Sequence, residues 1–506
     1  MGQKGCFITT GVLGVLLAIA GISFVHYFPV IFEDIVKKQT VLAHNSTGFQ
    51  EWANPPAPIY LEFYVWNLEN PEGVVKGDKP NVTERGPYVY REERPKVNVT
   101  EHENGTVSYT SPQSFYLDLD LSVGDPMVDT FTTLNLPLLT VVNQLQFMSD
   151  AKRIAVRALI LNDHKVCVTH TVHEYIWGYK DAMLTRIKDL EPDLVPTDIF
   201  GFFAGKNNSN DGVYTVYTGE TDSKLTNTID NWQGMETLPY WTTPQANMIN
   251  GTDGTYNHPF ISKNDTIYVF SSDICRSIYA VFEEETNTRG VPTLRFSPPS
   301  YLFANYTIYP PNIGFCTPDK AHCYPGGLLN ISQCQFGAPI FMSSPNFLYA
   351  DQSVMDMVIG VHPDKELHET YFDVEPYTGG PLNVSKKLQI NAHLRSYDFF
   401  WEDWYKNVAE AYVPLIWINE HGSLTQESAD ELMKQLYLPL KIGTYGTWTV
   451  LGFGCLLVLL SLTCISVMLC RSKGSSSPLD YPVNQSREDA PLINGDTTRD
   501  EANQPI

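Results

Sequence analysis

Two long stretches without charge, one near each end, limit what this chain can fold into more than any other feature. Between Lys4 and Glu33 only His26 can carry charge near neutrality, and the run "CFITTGVLGVLLAIAGISFVHYF" is long enough to cross a bilayer. Between Lys441 and Arg471 there is no charged residue at all, and "WTVLGFGCLLVLLSLTCISVMLC" fits a span better still. A span needs roughly 20 apolar residues. A buried core helix is the competing reading of the second run, but that run has no polar face. The first run has another competitor, because "LLAIAG" offers a small-residue cleavage site after Ala20. The apolar run continues past that site, which favours a retained anchor over a cleaved signal peptide. The predicted spans are 7–28 and 442–470. Lys4 flanks the first, and Arg471 and Lys473 flank the second. Basic flanks stay in the cytoplasm. Residues 1–6 and 471–506 are therefore expected to be cytoplasmic, and 29–441 lumenal or extracellular.

The central segment bears out a secretory-pathway reading on separate grounds. It holds Asn-x-Ser/Thr acceptors at Asn45, Asn81, Asn98, Asn104, Asn207, Asn250, Asn264, Asn305, Asn330 and Asn383. One such triplet means little; ten in one segment read as a glycosylated surface. Asn484, in the tail, is expected to stay unmodified. The chain's net charge is −23, of which 29–441 and its flanks hold nearly all. Nucleic-acid binding needs clustered Lys and Arg and is excluded. Of nine cysteines, Cys275, Cys316, Cys323 and Cys334 cluster outside the membrane. In an oxidising compartment they predict two disulfides, with three connectivities open. Zinc is the other reading, but neither a CxxC pair nor matching His spacing is present. Cys167 is left over as a buried thiol, and Cys6 and Cys470 lie at membrane edges where palmitoylation occurs.

Between the spans, strand signals dominate. "PIYLEFYVWNL" (58–68) is aromatic and β-branched, and "PKVNVTEHENGTVSYT" (95–110) alternates around a turn, predicting a hairpin. Residues 126–190 differ. "TVVNQLQFMSDAKRIAVRALIL" repeats apolar residues at helical spacing through Val141, Leu145, Met148, Ile154 and Leu159. Thr171 and Glu174 have capping-box spacing. Beyond 200, "GVYTVYTGE", "TIYVFSS", "TLRFS" and "KKLQINAHLRS" read as strands, and "TQESADELMKQLY" as a short helix before the second span. The segment reads as one large, mostly β domain with helical insertions.

Catalytic chemistry is not signalled: there is no GxSxG, HExxH, P-loop or Rossmann glycine pattern. The stretch from Asn207 starts like a calcium loop, but position twelve is Thr218 where Glu is required. The paired acids of "LDLD" (117–120) read as a solvated strand face. The chain is read as a non-enzyme without cofactor or metal. His164, His170 and His173 fall within ten residues. Histidine titrates near pH 6.5 and could switch an interface, though three ordinary surface or capping histidines look the same in sequence.

Several longer motifs carry a resemblance. "ERGPYVYRE" (84–92), "THTVHEYIWGYKD" (169–181), "NMINGTDG" (247–254), "CRSIY" (275–279), "FANYTIYPPNIGFC" (303–316), "GAPIFMSSPNFLYAD" (337–351) and "GVHPDKELHETYFDVEPYTG" (360–379) resemble the class B scavenger receptors, in order and over nearly the whole chain. That resemblance implies an α+β, mainly β fold: a large irregular antiparallel β-barrel ectodomain, an apical helical bundle (126–190) and two transmembrane helices. It implies a tunnel for lipid such as cholesterol or phospholipid, ligands among lipoproteins, fatty acids or proteins, and the pairings Cys275–Cys334 and Cys316–Cys323. "NMINGTDG" and "HETYFDVEP" look most like the lysosomal integral membrane protein branch. That branch implies a receptor carrying a lysosomal hydrolase, acid β-glucosidase, with the apex (Val141, Leu145, Met148, Ile154, Leu159) as cargo surface and His170 as pH sensor. A plasma-membrane lipoprotein or fatty-acid receptor is the alternative.

The tail peptide "SREDAPLING" (486–495) adds an address. Glu488 four residues before Leu492 and Ile493 resembles an acidic dileucine signal, read in extended form by a clathrin adaptor. The expected location is the lysosomal or late endosomal membrane, with two passes and both termini in the cytosol.

Overall fold

The computed structural model describes residues 3–55, 57–160, 165–192, 195, 197–335, 337–399 and 404–473. His164, Asn484 and the tail signal at Glu488, Leu492 and Ile493 lie outside the described residues. Both apolar runs are helical, Gln3–Thr40 and Leu438–Lys473. At 1.5 Å per residue each exceeds about 50 Å, more than the roughly 30 Å hydrocarbon core of a bilayer. The chain divides into two units.

In the first unit, residues up to Tyr27 and from Gly443 onward, the two helices pack on each other. A Cβ on Gly14 would lie 2.9 Å from the Cβ of Leu457, and one on Gly454 would lie 2.5 Å from the backbone N of Ala18. Small residues let helix backbones approach where water supplies no driving force. The Ser461 hydroxyl donates across the pair to the Phe7 carbonyl at 2.7 Å.

The second unit, 28–442, is built on one antiparallel sheet of eleven strands. Nine of them form a path, Thr266–Ser271, Arg276–Thr288, Val291–Ser297, Tyr371–Val374, Pro381–Leu394, Ala411–Ser423, Ile59–Leu68, Val82–Glu93, Ser114–Asp118, and the other two, Leu329–Asn330 and Ile340–Ser343, branch from Pro381–Leu394. The expected barrel is not formed, because no bond joins the first and last strands. A barrel removes its edges by closure; here each edge is covered by a loop instead. Thr252 pairs with the Thr266–Ser271 edge, its amide donating to Tyr268 O and its carbonyl accepting from Phe270 N. Gly251, at φ +81°, makes that approach possible, since a Cβ there would sit 1.9 Å from Tyr268 O. At the other edge Gln113 bonds with Ser209 and Asn208, and Asn207 Oδ1 accepts from Phe115 N. Covered edges block pairing with other chains as closure would.

The predicted hairpin at 95–110 forms, as Val97–Glu101 against Thr106–Thr110. It belongs to a separate four-stranded sheet with Tyr214–Tyr217 and Ile229–Trp232. Trp52, Tyr109, Tyr214, Trp232 and Phe270 make its core.

The helical spacing around 140–160 is realised as two helices, Leu136–Leu145 and Asp150–Ile160. Asn135 caps the first by accepting from Leu138 N. Arg153 of the second reaches back to the carbonyls of Leu145 (3.1 Å) and Met148 (3.2 Å). The Leu145 carbonyl also accepts from Met148 N at 3.2 Å, so the Arg153 guanidinium adds a second donor where the first helix ends. The capping box at Thr171 and Glu174 is present in both directions and opens the helix Val172–Trp177. Leu136–Leu145, Asp150–Ile160 and the later helix Ala182–Leu190 pack through Leu139, Val142, Val156 and Ile187 into a core shared with Trp66, Val413, Leu415 and Trp417 of the main sheet.

Candidate functional site

A cavity of about 950 Å³ lies within the second unit. Phe28, Ile31, Phe32 and Ile35 of the helix Gln3–Thr40 form one apolar wall, and Leu432, Leu436 and Pro439 form another. Leu436 comes from the π-helical turn Met433–Tyr437, which joins the helix Gln426–Leu432 to Leu438–Lys473. A π turn is a local distortion of an α-helix; here Tyr437 donates to Glu375 Oε1 at 2.7 Å and anchors the turn to the sheet domain. Phe270, Phe372 and Val384 of the sheet add to the apolar lining.

The opposite part of the lining is polar and tightly paired. Arg94 Nη2 lies 2.7 Å from Glu92 Oε1 and 3.1 Å from Glu420 Oε1, and Lys386 Nζ lies 3.0 Å from Glu420 Oε2. Burial pushes the Glu420 carboxyl up, but Lys386 and Arg94 outweigh it and hold it well below the usual carboxylate range. At Glu92 burial wins over the attraction of Arg94, and its pKa is raised. Nearby, Asp253 accepts from Lys96 at 3.0 Å and from the Tyr109 hydroxyl at 2.7 Å. Lys96 Nζ also sits 5.0 Å from the Trp52 ring centre. Sequence reasoning singled out none of these groups. They come from segments scattered over the chain, and no local spacing marks them.

The residues expected to form a cargo surface separate when placed. Val141 and Leu145 are core side chains, and Met148 and Leu159 are half-buried against them. Val141 and Leu145 thus face the core and present no side-chain surface to a partner. Ile154 is 67% exposed, and Phe147, which spacing did not pick, is 76% exposed. The period that reveals a helix marks its inward face, so the outward apolar residues break the pattern. His170 lies in the strand pair Thr130–Leu134 with Cys167–Thr171. Its ring stacks on Tyr179 at 3.9 Å, and Nδ1 is 3.7 Å from Glu174 Oε2. Burial lowers its pKa below 6.5, against the pull of Glu174 and Asp181. His173 donates its backbone amide to Pro126.

Cys275 is bonded to Cys334 and Cys316 to Cys323, while Cys167 is a free thiol pushed up to about 12 by burial. Among the glycosylation acceptors, Asn45, Asn98, Asn104, Asn207 and Asn264 are exposed. Asn81, Asn250, Asn305 and Asn383 are half-buried; Asn305 Nδ2 donates to Tyr324 O and Asn383 Nδ2 to Asp373. Asn330 is 7% exposed. No group of three or more His, Cys, Asp or Glu residues placed to hold a metal occurs among the described residues.

The sequence profile of the CD36 family matches residues 12–465. Lysosome membrane protein 2 of Rattus norvegicus is 37% identical over 493 residues, 96% of this chain and 99% of that protein. Lysosome membrane protein 2 of Homo sapiens is 37% identical over 494 residues, with the same coverage of 96% and 99%. Scavenger receptor class B member 1 of Bos taurus is 35% identical over 457 residues, 89% of this chain and 88% of that protein.

Proposed function

Because the chain belongs to the CD36 family, we propose that it is a two-pass receptor of the lysosomal membrane whose cavity takes lipid and whose helical segment takes a protein cargo. The observation that carries this reading is the cavity itself. Its apolar walls are made by Phe28–Ile35 and Leu432–Pro439, the segments that adjoin the two apolar spans in sequence. A lipid such as cholesterol or phospholipid reaching such a site would pass between bilayer and protein. Both termini lie in the cytosol in this reading, the first span is retained, and Glu488, Leu492 and Ile493 bind a clathrin adaptor. Similarity to lysosome membrane protein 2 supports the lysosomal address.

The cargo surface is reassigned to Phe147 and Ile154, which stand out from the helical segment, with His170 as the pH-sensitive element. A lysosomal hydrolase, acid β-glucosidase by family analogy, is the candidate cargo. Protonating His170 places charge in a half-buried site against Tyr179, next to Glu174 and Asp181, so acid loosens this region.

Full-length protein purified from cells should carry lipid in stoichiometric amount and overlap lysosomal markers. Leu492→Ala with Ile493→Ala should move it to the cell surface. Absence of any bound lipid would overturn the cavity reading. A wild-type chain resident at the surface would favour the plasma-membrane lipoprotein or fatty-acid receptor, which similarity to scavenger receptor class B member 1 supports.

A further inference from the structure

Arg276 opens the strand Arg276–Thr288 and is only 4% exposed. Its guanidinium carbon lies 3.7 Å from the centre of the Phe315 ring and 5.5 Å from that of Phe303. Among the described residues its one hydrogen bond runs from Nε to Ser277 O, at 3.4 Å, and no carboxylate pairs with it. Other buried cations differ. Arg295 holds Asp373 through two bonds of 2.7 Å, Lys96 holds Asp253, and Arg94 holds Glu92 and Glu420. The N–H groups on both Nη atoms of Arg276 therefore have no protein acceptor. The groups that act on its charge are the phenols of Tyr279 and Tyr309, which are neutral near pH 7. Burial lowers its pKa to about 9, so the guanidinium stays protonated at neutral and acidic pH.

A buried charge without a partner is costly. Stacking on aromatic rings offsets part of that cost, but rings cover the faces of a guanidinium and not its edge. The N–H groups lie in the plane of that edge and match the paired oxygens of a carboxylate, sulfate or phosphate. What exposure the residue keeps reaches its Nη atoms, which are not fully buried. Solvent is near, because the Tyr309 ring packs 4.8 Å from that of Tyr301, which is 40% exposed. The frame around the guanidinium is tied down. Cys275 and Cys316, next in sequence to Arg276 and Phe315, are both disulfide-bonded. Trp241 Nε1 donates to Cys275 O at 2.6 Å, and the Trp241 ring lies 5.0 Å from Phe315. We infer that Arg276 is the centre of an oxyanion site, taking a carboxylate, sulfate or phosphate on its open edge while Phe315 and Phe303 pack its faces. The site is separate from the lipid cavity and does not depend on that reading.

The test follows thermal unfolding of the full-length chain in non-ionic detergent, in Tris chloride at neutral pH. Sodium acetate, sulfate or phosphate replaces sodium chloride at constant ionic strength. Wild type should gain about 3 °C, saturating in the millimolar range. Arg276→Met places an apolar side chain against Phe315 and Phe303 and should not respond. In chloride alone it should be at least as stable as wild type, because it removes an unpaired buried charge. Arg276→Lys keeps the charge without the fork and should need roughly tenfold more oxyanion for the same gain. That variant decides the matter if the methionine variant does not fold. An equal, non-saturating gain in wild type and variants is a general salt effect and overturns the inference. So does the absence of any gain in wild type, or a wild type more stable than Arg276→Met in chloride alone.

Discussion

Replacing Lys96 by Met should destabilise the domain by about 3 kcal/mol, and the reason is what the lysine leaves behind. The Lys96 side chain is 1% exposed, and its Nζ lies 3.0 Å from Asp253 Oδ2. At an effective dielectric of 20 that separation corresponds to about 5 kcal/mol of attraction before desolvation. Desolvation offsets much of it. Burial lowers the Lys96 pKa even with Asp253 adjacent, whereas Asp253 is held well below the usual carboxylate range. Asp253 has further donors in Tyr109, Thr255 and Asn227, so it tolerates burial better than the ammonium does. The pair itself is therefore close to neutral, but half of it is not. Lys96→Met strands a buried carboxylate, whereas Lys96→Met with Asp253→Asn should return to within about 1 kcal/mol of wild type. The loss should be largest at neutral pH. Asp253 in the wild type contributes stability above its ordinary value of 3.8 and loses it as pH falls through the depressed folded value. In the variant the stranded carboxyl is raised instead, so protonation relieves it on acidification and the gap to wild type narrows. Urea unfolding followed by tryptophan fluorescence suits the measurement, because Trp52 lies beside Lys96 and donates to Asn227 Oδ1 at 2.8 Å. A single variant as stable as wild type, or a double variant no better than the single, would refute the reasoning.

Three other outcomes follow from the structure. Glycopeptide mass spectrometry should find sugar at the exposed Asn45, Asn98, Asn104, Asn207 and Asn264 and none at Asn330, whose side chain is buried and accepts from Ser332. If the proposed reading holds, recovery of a lysosomal hydrolase on the full-length protein should fall between neutral and lysosomal pH. His170 has a depressed folded pKa, so its contribution is complete above 6.5 and is lost as pH falls through the folded value. His170→Gln should flatten that pH dependence, while Ile154→Asp should weaken binding at both pH values. In the membrane unit, Gly454→Leu should lower heat resistance in detergent because the added atoms meet Ala18, while Gly446→Leu, with nothing within 4 Å, should not.

Much of the architecture is legible along the chain because it depends on local periodicity. The two spans, the strand Ile59–Leu68, the hairpin around Asn104–Gly105 and the capping box at Thr171 each show in a window of a few residues. The long motifs identify the family for the same reason: each is a contiguous string. The break between Leu145 and Asp150 is not legible, because the side chain that stabilises it, Arg153, reads as another exposed helical residue. The resemblance assigned Val141 and Leu145 to a cargo surface, whereas their regular helical recurrence is what buries them.

What the order of residues settles here is which segments are apolar, extended or helical, where sugar can attach and which family the chain joins. Only the tertiary structure decides that the sheet stays open, with Thr252 covering one edge and the 207–209 loop the other, and that Glu420 neutralises Arg94 and Lys386 in the cavity wall. Local pattern records each residue's relation to its near neighbours. Charge pairing and edge protection join groups hundreds of residues apart, and only folding brings those into contact.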